Sequence, residues 1–193
     1  MQAPGNTKKT SALLTLMQLY NDYQENPSVY FSCRLINNDY FKWRCIAPGP
    51  KDTEYYGAFL PIELHFPGNF PNDPPQMYIK CPIWHPNIEY DTGKVCMAIL
   101  HEARDDPHNA YEKFTDKWSP NVTIESIFII LMYILQNPTT NSPFNPFANG
   151  DYIKQRDVYN QKVKKCVLNS IECINPSFSS PLNVETLKTP IPT

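Results

Sequence analysis

The sequence predicts an α+β fold in which helices cover a four-stranded antiparallel meander. Residues 10–24 place Leu13, Leu14, Met17, Leu19 and Tyr20 near helical spacing. Residues 29–79 then change to short strand-like runs separated by turn residues. Residues 124–135 form a nearly all-apolar helix. Four consecutive strands with short links make a sheet that must bury one face under helices.

The first helix stops at Asn26-Pro27. The candidate strands are 29–35, 40–46, 58–66 and 77–79, joined by turns at Asn37-Asn38-Asp39, Pro48-Gly49-Pro50 and Pro67-Gly68-Asn69. Residues 77–100 are proline-rich and irregular. Residues 101–117 are polar, with five acids and three bases, and read as a solvated loop. The apolar run at 124–135 implies a central helix buried on most sides, and 137–149 is turn-rich. Residues 152–174 are helix-compatible up to Asn175-Pro176, so a core domain over 1–174 and a proline-containing tail over 175–193 are expected, with no internal repeat.

Composition narrows the function classes. A net charge of −2 with no basic block argues against nucleic-acid or membrane-surface partners. The 20 prolines are about twice average usage, and they sit at fixed turns, not in repeats. Six cysteines (Cys33, Cys45, Cys81, Cys96, Cys166 and Cys173) form no C-x-x-C pair, which fits reduced thiols in a cytoplasmic or nuclear protein. The polar residues 1–10 do not read as a signal peptide, and the longest apolar run is shorter than a bilayer span of about 20 residues.

Trp84-His85-Pro86-Asn87-Ile88 is followed, nine residues after the asparagine, by Cys96. A thiol can carry an acyl group, and an amide N–H can hold the oxyanion formed when that group moves. Other readings of the same residues are open. Cys96 before Met-Ala-Ile-Leu also reads as a buried core thiol. Cys81, His85, Cys96 and His101 form a loose C-x₃-H-x₁₀-C-x₄-H zinc pattern. His85 or His101 could serve Cys96 as base in a Cys–His hydrolase. Asp105-Asp106 also reads as plain solvated loop.

His85-Pro86-Asn87 with Cys96 resembles the signature of the ubiquitin-conjugating enzymes, and the likeness runs from about residue 10 to 174. Pro48-Gly49-Pro50 with Tyr56-Gly57, the stretch from Phe66-Pro67 to Pro74-Pro75, Trp118-Ser119-Pro120, and Asn137-Pro138 with Ser142-Pro143 resemble further segments in the family's order. The resemblance implies the ubiquitin-conjugating (UBC) fold. It implies Cys96 as thioester nucleophile, Asn87 as oxyanion donor or loop brace, and His85 and Pro86 as structural. Ubiquitin, its activating enzyme, a RING-type ligase and protein substrates are the implied partners, with no cofactor and no metal.

The long stretch between Cys96 and Trp118, with Asp105-Asp106-Pro107 and Tyr111, resembles an inserted acidic loop found in members that build degradation-type polyubiquitin chains. Asp105, Asp106 and Ser142 are then the candidates for orienting the acceptor lysine, and Pro71, Asn72, Ser119 and Pro120 those for facing a ligase. Residues 88–95 form a loop one residue longer than usual. Asn72 stands where many relatives have a large apolar residue, and Ser142 where many have aspartate. A carrier of another ubiquitin-like modifier, or a non-catalytic binder of ubiquitin or a ligase, are the alternatives.

Overall fold

A computed structural model of the chain describes residues 4–103 and 113–174. Asp105, Asp106 and the expected tail at 175–193 lie outside the described residues.

Helix α1 (Pro4–Glu25) is followed by strands β1 (Ser32–Ile36), β2 (Asp39–Pro48), β3 (Phe59–His65) and β4 (Gln76–Ile79). The strands form one antiparallel sheet in the order β1-β2-β3-β4, the expected meander. Asn37 and Asn38 both take positive φ (53° and 58°), which gives the two-residue turn whose twist matches the strands it joins. The register Cys45↔Ile62 and Leu64↔Met77 puts Trp43, Cys45, Ile62, Leu64 and Met77 on one buried face.

Helix α1 begins earlier than expected and presents a different stripe. Ala12 and Leu16 are fully buried, with Leu19, Tyr20 and Tyr23 packed beside them, whereas Leu14 is exposed. The i, i+4, i+8, i+11 spacing of that stripe is helical, and the aromatic residues on the sheet select it. Tyr20 meets Trp43 edge-on at 5.3 Å, and Tyr23 stacks on Phe31, which stacks on Phe128 at 4.0 Å.

Helix α2 (Ile124–Gln136) is capped by the Thr123 hydroxyl, which accepts the Ser126 N–H. It buries Ile124, Ile127, Phe128, Leu131, Ile134 and Leu135, but Ile129 and Tyr133, one turn apart, face outward. The expectation of burial on most sides is corrected there. The expected single helix at 152–174 is two. Helix α3 (Pro146–Lys154) starts inside the segment read as turns, because Asn145 caps the Ala148 N–H and Pro146 fits the first turn. Helix α4 (Arg156–Ile174) follows after Gln155 leaves helical geometry (φ −139°, ψ 60°). Among the described residues no helix is long and apolar enough to cross a membrane.

Candidate active site

The segment after β4 is held by buried polar contacts at nearly every residue. The Tyr55 hydroxyl donates to the Trp84 carbonyl at 2.6 Å and meets the Tyr159 hydroxyl of α4 at 2.9 Å. The Trp84 indole N–H donates to Asp151 Oδ2, which also takes Lys162 Nζ at 2.8 Å. Lys162 Nζ lies 4.2 Å from the Trp84 ring centre, so the buried ammonium has both a counter-ion and a π face.

His85 is completely buried. Its Nδ1 lies 3.0 Å from the Asn87 N–H and accepts it, so Nε2 carries the proton and donates to the Ile134 carbonyl of α2 at 3.0 Å. Burial outweighs that carbonyl and pulls the imidazole pKa down to about 4, keeping the ring neutral. Both nitrogens are engaged, so His85 is neither a base for Cys96 nor a metal ligand. The Pro86 carbonyl accepts the N–H groups of Phe144 and Asn145, each at 2.8 Å, tying the turn to the start of α3.

Asn87 forms a two-point clamp on Thr139. Its Nδ2 donates to the Thr139 carbonyl and its Oδ1 accepts the Thr139 N–H, both at 2.8 Å. Its own carbonyl accepts the Cys96 N–H at 2.9 Å. The loop over 88–95, expected to be one residue longer than usual, is closed into a small hairpin by Glu89 N–H to Lys94 and Gly93 N–H to Glu89, each 2.9 Å. Ile79 N–H to Gly93 and Val95 N–H to Met77 stitch this hairpin to β4. Gly93 has φ +72°, and a Cβ there would lie 2.0 Å from the Ile79 carbonyl oxygen.

Cys96 is half-buried in a cleft of about 820 Å³ walled by Ile99, Trp118, Val122, Tyr133 and Thr139. A single 3₁₀ turn, Ala98–Leu100, carries the chain to His101, whose Nε2 lies 3.5 Å from Cys96 Sγ. The His101 carbonyl accepts the Trp118 N–H at 2.9 Å, so the two ends of the stretch between them meet. The Trp118 indole donates to the Pro71 carbonyl at 2.8 Å. That bond brings the Pro71-Asn72 and Ser119-Pro120 segments side by side, with Asn72, Ser119 and Pro120 exposed. Ser142 is exposed on the loop between Thr139 and Asn145.

Thr139 has no distinctive side-chain chemistry in the sequence, since its part is played by backbone atoms. The zinc pattern is not assembled. Cys81 is buried, His85 is turned into the core, and among the described residues no three His, Cys, Asp or Glu side chains are grouped to hold a metal.

The family model described as "Ubiquitin-conjugating enzyme" matches residues 15–167. The chain is 40% identical over 167 residues to the probable ubiquitin-conjugating enzyme E2 7 of Caenorhabditis elegans, covering 84% of this chain and 98% of that protein. It is 37% identical over 164 residues to the ubiquitin-conjugating enzyme E2 13 of Arabidopsis thaliana, again covering 84% and 98%. Against the ubiquitin-conjugating enzyme E2 of African swine fever virus the identity is 33% over 162 residues, covering 81% of this chain and 71% of the viral protein. A fixed turn with a thiol beside it in a cleft, on a four-stranded meander flanked by helices, has the same meaning as these matches: the chain belongs to the family of ubiquitin-conjugating enzymes.

Proposed function

We propose that Cys96 accepts the C-terminal acyl group of ubiquitin from an activating enzyme as a thioester and passes it to lysine amines with a RING-type ligase. The supporting observation is the half-buried thiol, open to a cleft, with its backbone N–H fixed on Asn87. The test is a non-reducing gel after incubation with activating enzyme, ubiquitin and ATP, with Cys96→Ala alongside. A thiol-sensitive band larger by one ubiquitin, absent in the variant, is expected. No band with ubiquitin but one with another modifier and its own activating enzyme would replace the substrate. No band with any would leave a binding module.

His101 enters the chemistry as a proton acceptor. Its Nε2 lies 3.5 Å from the sulfur, within reach of the proton Cys96 sheds when it attacks the incoming thioester. Once ubiquitin is on the sulfur, the same nitrogen faces the amine that attacks the acyl carbon. Lysine, with an ordinary pKa near 10.4, must shed a proton there. Asp105, Asp106 and Ser142 would orient that lysine, and Pro71, Asn72, Ser119 and Pro120 would meet the ligase across the Trp118–Pro71 junction.

The insertion whose ends close at His101 and Trp118 favours the acidic-loop subgroup, and with it degradation-type chain building. Released diubiquitin of a single linkage type would support that reading, and mixed linkages would sink it. The conjugating core would be residues 1–174, and the site of action the cytoplasm or nucleus.

A further inference from the structure

Strand β1 is an edge strand, and its outer side is covered by Tyr23 of α1. The Tyr23 hydroxyl accepts the Cys33 N–H at 2.9 Å and donates to the Phe31 carbonyl at 3.5 Å. The Cys33 N–H therefore points away from β2. Cys33 is the direct register partner of Cys45 on β2, with Trp43 opposite Leu35 on the same face. In an antiparallel ladder, opposed residues whose amides turn outward form a non-hydrogen-bonded pair, with Cα atoms about 4.5 Å apart and side chains on the same side. That separation lies at the near end of the disulfide range of about 4.4–6.8 Å. As direct register partners, the two residues carry their thiols on the same face of the strand pair. Cys33 is half-exposed and Cys45 fully buried.

We propose that Cys33 and Cys45 are an oxidisable dithiol that takes up a disulfide from an oxidised low-molecular-weight disulfide of the glutathione type. Neither residue lines the cleft of Cys96. Cys33, the accessible member, attacks one sulfur of the small disulfide as thiolate and releases one reduced thiol. Cys45 then loses its proton, attacks the Cys33 sulfur of the mixed disulfide and releases the second. Two protein thiols are oxidised, the small disulfide is reduced to two thiols, and the two protons leave with them. The second step is the slow one, because burial pushes the Cys45 thiol pKa well up and leaves little thiolate.

The test uses the purified full chain, equilibrated with oxidised glutathione at neutral pH and alkylated in denaturant. Trypsin cuts after Lys9, Arg34, Arg44 and Lys51, so the bond would join peptide 10–34 to peptide 45–51. The expected result is that linked pair, released by dithiothreitol, with a thermal midpoint raised by about 5–10 °C for so short a closed loop. Cys33→Ser should lose both the link and the shift while loading ubiquitin at the wild-type rate. Glutathione held on Cys33 with Cys45 alkylated, a link found only between Cys81 and Cys173, or a shift that persists in Cys33→Ser would each overturn the proposal.

Discussion

Asn87 and His101 contact Cys96 while His85 braces Asn87 from the core, and the three roles are separately measurable. Asn87 spends one amide hydrogen and its carbonyl on Thr139, so the proposed oxyanion role would fall to its second amide hydrogen. Asn87→Ala should lower stability by about 2 kcal/mol through the two lost bonds and slow lysine aminolysis on the order of 10²-fold. Urea midpoints and single-turnover discharge to lysine measure the two separately, and a lowered midpoint with an unchanged rate would leave only the bracing role. For His85, the folded pKa of about 4 lies below the ordinary 6.5, so the unfolded chain binds the proton first as pH falls. The stabilisation from the neutral ring is complete above about pH 6.5 and is lost toward pH 4, about 3 kcal/mol in all. Urea unfolding across that window should show the slope, and His85→Gln, less stable at the outset, should lack this part of it. For His101, the substitution to Gln keeps a hydrogen-bonding side chain but removes the base. Discharge of the thioester to lysine should fall at least tenfold, while discharge to hydroxylamine, already unprotonated at neutral pH, should hardly change. Equal slowing toward both amines would make His101 a packing residue.

The loop before the nucleophile shows how an element sets the position of a residue. Gly93 has positive φ and sits against the Ile79 carbonyl, so Gly93→Ala must break either the small hairpin or its seam with β4. The expected penalty is about 3 kcal/mol or more, read in urea melts, with slower thioester loading because Cys96 lies three residues on. The sheet was legible in the sequence because its turns carry Asn-Asn, Pro-Gly and their like, and turn chemistry is local. The stripe of α1 was not, since Ala12 and Leu16 are chosen over Leu14 by aromatic residues arriving from β2. The break at Gln155 was equally silent, for no proline or glycine marks it. The motif could be read residue by residue. Its supports could not, because Thr139 and the Ile134 carbonyl contribute backbone atoms from distant sequence.

Taken whole, the sheet, the motif and the helices share one apolar core, with Trp43, Trp84 and Trp118 buried in its three regions. Tryptophan fluorescence and far-ultraviolet circular dichroism should therefore report coincident, single urea transitions. Two separated transitions would show that α3 and α4 unfold apart from the sheet. One closing bond has a wider consequence. Because the His101 carbonyl already receives the Trp118 N–H, the two ends of the stretch between them are fastened to each other. Doubling the length of such a stretch costs only about 0.6 kcal/mol of closure entropy. Residues added between His101 and Trp118 should therefore be borne by the same fastening, with a loss of no more than about 1 kcal/mol in urea unfolding, whatever they do to the transfer of ubiquitin.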